Sequence, residues 1–278
     1  MAHHYEKDGK KFPSCTTIIS DCTNKGGGLT QWAANCCVEW IRENGFLDQD
    51  LDYVVTEDQL NEARFAYKTV SDTALDVGSE VHNAIEKYLQ GERYLLLKTE
   101  QAKKAFKAFQ DWEKENNFVH IEGERTVYGD RWAGTLDEYC KLNDKLCVID
   151  FKTSKPKNKK TGKGIYPEMR YQVAAYRSVM DDEIRRIAVW EGKKKNTVKL
   201  KDWYDLGDWM MEADRIENEY YNKHKIQGCG VLRLDKETGM PDWNDTSKTY
   251  EQDLKVFNAM VDLYFERHKL IAKRLRGE

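Results

Sequence analysis

The stretch from Gly134 to Ser154 constrains the fold of this chain most, because it predicts a β-hairpin with an acid on each strand. Polar and apolar side chains alternate roughly over residues 134–142, a turn-like triplet follows at 143–145, and the apolar run 146–149 predicts a buried strand. Asp137 lies on the first strand and Asp150 ends the second. Two carboxylates therefore lie on paired strands.

The side chains of this hairpin predict a divalent metal site. Asp150 and Lys152 are two residues apart on one strand, so they share a face, and a suitable register would bring Asp137 beside them. Neighbouring carboxylates repel each other unless a cation neutralises them, and their oxygens suit Mg²⁺ or Mn²⁺. A D-x-K triplet also occurs by chance on surface strands, but an acid that ends a buried strand needs a reason.

Four sequence blocks occur in an order that resembles a nuclease family. They are G-S-E-V-H at 78–82, G-T-L-D at 134–137, V-I-D-F-K-T-S at 148–154 and Q-V-A-A-Y at 172–176. This pattern resembles the PD-(D/E)XK nuclease superfamily, specifically the RecB-type branch that includes phage exonucleases. The segment P-S-C-T-T-I-I at 13–19 is similar to the first strand of phage members, whereas the proline of the superfamily's name is absent.

The resemblance implies a role for particular residues of these blocks. The implied metal ligands are His82, Asp137, Asp150 and the carbonyl of Phe151, around one or two ions. Lys152 would orient or deprotonate the attacking water. A histidine ligand predicts that Mn²⁺ serves at least as well as Mg²⁺. The alternative for a lone helix histidine is simple packing.

Further residues are implied to assist the site. Gln172 and Tyr176, one helical turn apart, would contact substrate phosphate or order the catalytic lysine. Glu86 would lie behind the metal ligands, and Glu124 would support the metal-bound waters or a lysine. The alternatives are a solvent-facing helix surface for the first pair and an exposed strand glutamate for Glu124.

A concentration of lysines directly after the hairpin predicts a contact surface for DNA. The net charge of -3 and the pI of about 6.1 do not indicate a nucleic-acid binder, but a nuclease needs only a local basic groove. The alternative is a solvated loop without a partner. The predicted DNA contacts are Lys155, Lys157, Lys159, Lys160 and Arg170.

The seven cysteines raise the question of an iron-sulfur cluster, which some RecB-type relatives hold through one early and three late cysteines. Only Cys229 lies late in this chain, so we expect no cluster, although four early cysteines leave a metal-binding alternative open. An odd number of cysteines in an intracellular chain is most simply interpreted as free thiols.

Composition and pattern predict one α/β domain. With 33% charged and 40% hydrophobic residues, the chain has the composition of a globular protein, and no apolar run is long enough to span a membrane. No signal peptide is evident, so we expect a cytoplasmic protein of a bacterial or phage-infected cell, although a processed chain is equally compatible. The resemblance implies a restriction-endonuclease-like mixed central sheet flanked by helices, with helical additions at both ends.

The predicted organisation divides 1–278 into an N-terminal helical part (1–72), a catalytic core (73–182), an insertion (183–226) and a closing strand and helix (227–278). Strands are predicted at 13–19, 118–128, 184–190 and from 231, with a basic turn at 193–195 followed by another short strand. Helices are predicted at about 29–44, 57–67, 74–89 (capped by Ser71 or Asp72), 99–116, 167–180, 208–225 and 250–276.

These observations together predict a metal-dependent deoxyribonuclease. The resemblance implies an exonuclease that acts on DNA ends or single strands in recombination, repair or replication and leaves 5'-phosphates. A recombination or single-strand-binding protein is a possible partner. The alternative is a nuclease fold that binds DNA or a recombination partner without cleaving.

Overall fold

A computed structural model describes residues 4–23, 26–50, 52–154, 160, 163–196 and 205–275, and it confirms an α/β protein built on a five-stranded mixed sheet. Its elements in chain order are β1 (His4–Lys7), β2 (Lys10–Pro13), α1 (Cys15–Cys22), α2 (Gly26–Asn44), β3 (Phe46–Leu47), β4 (Tyr53–Val54), α3 (Glu57–Ala63), α4 (Ala66–Leu89), α5 (Glu100–Glu115), β5 (Phe118–Tyr128), β6 (Ala133–Leu142), β7 (Lys145–Lys152), α6 (Pro167–Lys195), α7 (Asp205–His224), β8 (Gly228–Leu234), β9 (Pro241–Asp245) and α8 (Tyr250–Leu275).

The central sheet has the strand order β5-β6-β7-β8-β9. Only the β7–β8 pair is parallel; its neighbours in this sheet are antiparallel. The predicted hairpin is confirmed as β6 and β7, and its turn residues Asn143 and Asp144 have φ values of 49° and 65°. Two positive φ values are typical of the type I′ turn that matches the twist of a two-residue hairpin.

Helices cover both faces of the sheet. Val148 packs in a cluster with residues of α1, α6 and α8, whereas Ile149 and Phe151 pack in a second cluster with residues of α4 and α5. A strand buried on both faces is apolar on both faces, which explains the run at 146–149. Full burial of such a side chain stabilises the fold by about 1.5–3 kcal/mol.

The predicted strand at 13–19 is wrong, because β2 ends at Pro13 and α1 follows. Ser14 caps α1, and its Oγ accepts a hydrogen bond from the Thr17 amide at 2.9 Å. Ile18 is fully buried on this helix. Core packing of the helix thus overrides the strand preference of its β-branched residues.

The predicted strand at 184–190 and the basic turn at 193–195 are also wrong. Helix α6 does not end near Met180 but continues to Lys195 and packs against α7. Ile184 and Ala188, four residues apart, are buried, which is helical spacing. The short strand expected after the turn falls largely on residues 197–204, outside the described ranges.

Helix α4 begins earlier than predicted, since its N-cap is Phe65 and not Ser71 or Asp72. The starts of two other helices follow local signals. Thr99 caps α5, and its Oγ1 accepts from the Ala102 amide at 3.1 Å. Pro167 occupies the first turn of α6, as predicted.

Candidate metal centre

The candidate site lies where β6 and β7 separate. Their ladder stops at Glu138 and Ile149, so Asp137 and Asp150 would form the next pair. Instead, Asp137 Oδ2 accepts a hydrogen bond from the amide of Phe151 at 2.7 Å. The carboxylate of Asp137 therefore lies between the two strands and beside the end of β7.

Helix α4 brings His82 to the same place. A Cβ at Gly78 would lie 3.2 Å from Thr153 Oγ1, so the glycine permits a close approach of α4 to the end of β7. His82 Nε2 lies 3.1 Å from the Phe151 carbonyl oxygen, and we infer that Nε2 donates to it. The unprotonated Nδ1 then lies 3.9 Å from Asp137 Oδ2.

Burial, with the positive charge of Lys152, lowers the pKa of His82. A neutral imidazole is the form that binds metal ions. Two ligand atoms that each lie about 2.1 Å from one ion are at most about 4.2 Å apart, so the separation of His82 Nδ1 and Asp137 Oδ2 suits a shared ion.

Glu124 joins these two residues. One ligand atom from each of His82, Glu124 and Asp137 lies within 4.8 Å of the others. Glu124 is an exposed residue, but partial desolvation of its carboxyl, with the negative charges of Asp137 and Glu86, raises its pKa to about 7. Its backbone has a φ of 49°, which is unusual for a glutamate within a strand. The resemblance implies only a supporting role for Glu124.

Asp150 is not a member of that three-residue group among the described residues. It is fully buried and forms an ion pair with Lys152. Lys152 Nζ contacts Asp150 Oδ2, whereas Asp150 Oδ1 has no hydrogen-bond partner in the described ranges. Burial and the negative charge of Asp137 raise the pKa of Asp150, whereas the positive charge of Lys152 lowers it. The resulting pKa is about 7.

Lys152 is a cation in this environment. Burial alone would lower the pKa of its ammonium, but the charges of Asp150 and Asp137 outweigh burial and raise it. A divalent ion fits this set of residues, because it would neutralise crowded carboxylates and provide a partner for buried carboxylate oxygens.

Gln172 and Tyr176 contact each other on α6, with Gln172 Nε2 donating to the Tyr176 hydroxyl at 3.1 Å. Tyr176 is only 2% exposed, and burial raises the pKa of its hydroxyl well above the usual value. A Cβ at Gly134 would lie 2.6 Å from the Tyr176 ring, which explains the glycine before Asp137. The burial of Tyr176 favours the ordering role over direct contact with substrate.

The other predicted residues lie as follows. Arg170 is engaged with Asp253 of α8, with Nε donating at 3.1 Å, rather than free for a phosphate. Glu86 lines the small pocket beside His82 and accepts from Gln90 at 3.1 Å. Lys160 lies in an exposed turn. Lys155, Lys157 and Lys159 lie outside the described residues.

A further pair beside the site, a buried glutamate and a half-buried histidine, is not evident from the sequence. Glu138, fully buried, contacts His120 Nδ1 through both carboxylate oxygens at 2.9 and 3.0 Å. Burial raises the pKa of Glu138 to about 9, and burial lowers the pKa of His120. Burial thus favours the uncharged form of each residue, whereas the short contact between them favours opposite charges. Its only local signal is an acid adjacent to Asp137, which does not reveal burial.

No family model matches this chain, and no curated protein is significantly similar to it in sequence. No helix in the described ranges combines the length and hydropathy needed to cross a bilayer. All seven cysteines are free thiols, and the expectation of no iron-sulfur cluster stays a prediction.

Proposed function

We propose that this chain is a divalent-metal-dependent deoxyribonuclease with a restriction-endonuclease-like fold of the PD-(D/E)XK type. The observation that carries the proposal is the convergence of His82, Glu124 and Asp137 beside the buried Asp150–Lys152 pair. Acids from adjacent strands and an imidazole can hold a divalent ion, and an ammonium beside it can assist hydrolysis of a phosphodiester. The order of the four sequence blocks adds support.

In this proposal His82, Glu124 and Asp137 hold Mg²⁺ or Mn²⁺, and Asp150 lies next to them as a further acid. A bound divalent ion would lower the pKa of a water molecule and stabilise negative charge on the phosphate. The side-chain ligands implied by the resemblance are His82, Asp137 and Asp150. In this proposal Glu124 takes the place of Asp150.

Lys152 donates hydrogen bonds in this site. Without a bound ion, the charges of Asp150 and Asp137 raise the pKa of Lys152, which favours an ammonium that orients the attacking water or a phosphate oxygen. Asp150 fixes the position of Lys152 through their ion pair. Tyr176, held by Gln172, lies close enough for the charge of Asp150 to raise its pKa, and its proposed role is to order Lys152.

Action on DNA ends or single strands, with 5'-phosphate products, follows from the resemblance to RecB-type exonucleases. The same resemblance favours a role in recombination, repair or replication, with a recombination or single-strand-binding protein as partner. Lys155, Lys157, Lys159 and Lys160 remain the proposed DNA contacts. Arg170 is removed from that set because its guanidinium is engaged with Asp253.

The test uses purified protein with end-labelled linear DNA, single- and double-stranded, and with circular DNA, in Mg²⁺, Mn²⁺ or EDTA. We expect metal-dependent cutting of linear DNA, reduced about 10²-fold or more by Asp150→Asn and by Lys152→Ala. Lys103→Ala, an exposed lysine of α5, is the control. Cutting that persists in both site variants would refute the assigned site, and DNA binding without cutting by the wild type would establish the non-cleaving alternative.

A further inference from the structure

Strand β5 carries an extra residue beside the candidate metal centre. His120 pairs with Cys140, but Glu122 pairs with Tyr139, so Ile121 forms a β-bulge. Without the bulge, the register that pairs His120 with Cys140 would continue along β5 and place Glu124 opposite Leu136. Leu136 is fully buried in the cluster with α6 residues. A one-residue shift also turns side chains to the other face of a sheet. The bulge is therefore what sets Glu124 opposite Asp137.

Glu138 of β6 lies beside the first two residues of this bulge, His120 and Ile121. Its carboxylate contacts His120 Nδ1 at 2.9 and 3.0 Å and lies near enough to the Ile121 amide for that N–H to lower the Glu138 pKa. Gly123 leaves the necessary space, because a Cβ there would lie 3.3 Å from Glu138 Oε2 and 3.2 Å from the Asp137 carbonyl oxygen. Glu138 is fully buried, so water does not compete for these contacts.

The backbone beyond the bulge is strained. Glu124 has a φ of 49°, and the ladder between β5 and β6 skips the pair of Glu124 and Asp137. A non-glycine residue in this conformation is uncommon and persists only where neighbouring contacts hold it. The contacts of Glu138 with His120 and Ile121 are the adjacent restraint on β5.

We propose that Glu138 and His120 are positioning residues that fix the β5 bulge and thereby hold Glu124 beside His82 and Asp137 for divalent metal binding. This inference rests on the proposed function. Neither residue is required to touch the ion. A glutamine at position 138 preserves the arrangement, since it offers an acceptor oxygen to Ile121 and a donor N–H to His120 Nδ1.

The test is the affinity of the full chain for Mn²⁺, measured without DNA by isothermal titration calorimetry at a temperature at which each variant is folded. We expect Glu138→Leu to weaken Mn²⁺ binding about 10-fold or more, as the loss of residues that orient metal ligands does elsewhere. Glu138→Gln should stay within about threefold of the wild type. Should Glu138→Leu fail to fold, His120→Phe keeps the ring but removes Nδ1 and should also weaken Mn²⁺ binding.

Leu142→Ala is the matched control, because Leu142 is a buried residue of the same strand outside the bulge. It should lower the urea concentration at the midpoint of unfolding without changing the Mn²⁺ affinity. Unchanged affinity in Glu138→Leu and His120→Phe would overturn the positioning role while the proposed function stands. A wild type that does not bind Mn²⁺ would overturn both.

Discussion

Substitution of Glu138 by glutamine should stabilise the protein in a manner that depends on pH. Burial raises the pKa of Glu138 from 4.5 to about 9, so the native state keeps a proton that the unfolded state loses above pH 4.5. A carboxyl with a raised native pKa therefore destabilises the fold increasingly as the pH rises from 4.5 to about 9. The slope is about 1.36 kcal/mol per pH unit.

Glutamine does not titrate, so the free energy of unfolding of the variant does not fall with pH through this residue. Between pH 5 and pH 8 the free energy of unfolding of Glu138→Gln should rise relative to that of the wild type by about 4 kcal/mol, which is three pH units at the slope above. The residue is fully buried, so solvent screening does not reduce this figure greatly.

Urea denaturation in EDTA at pH 5 and pH 8, followed by circular dichroism, measures the difference. Leu142→Ala provides the control, because it removes only apolar contacts and its destabilisation should be the same at both pH values. If Glu138→Gln differs from the wild type by equal amounts at pH 5 and pH 8, burial does not raise the Glu138 pKa and the reasoning is refuted.

Three further predictions concern packing, a buried ion network and metal binding. Gly134→Ala should lower the free energy of unfolding in urea by roughly 1–3 kcal/mol, because its Cβ would lie 2.6 Å from the Tyr176 ring. Gly28→Ala, whose Cβ would have no atom within 4 Å, should not lower it. Equal effects of the two substitutions would contradict this reasoning. Arg233→Met should cost about 3–5 kcal/mol, because Arg233 is 1% exposed and its loss leaves Asp235 and Asp242 unpaired. The exposed Arg215→Met should leave the melting temperature unchanged, and a similar loss there would argue against the network. Mn²⁺ should raise the melting temperature of the wild type but not that of His82→Ala, and an equal rise in both would exclude His82 as a ligand.

The sequence by itself determined the elements that depend on neighbouring residues. The turn residues of 143–145 and the apolar run at 146–149 specified the β6–β7 hairpin, since both signals are local. Thr99 and Pro167 likewise specified where α5 and α6 begin. The resemblance placed His82 and Asp137 together, and the structure has them within reach of one ion.

Only the tertiary structure decided which side chains complete the site. Glu124 lies opposite Asp137 because a bulge shifts the register of β5 by one residue, and no local sequence pattern predicts this bulge. Asp150 ends inside the protein with Lys152 because α1 and α6 cover that face of the sheet. Residues 184–190 are helical because burial of Ile184 and Ala188, four residues apart, outweighs the strand preference of the segment. In each case the deciding contacts join segments far apart in sequence, so their energies cannot be inferred from neighbouring residues.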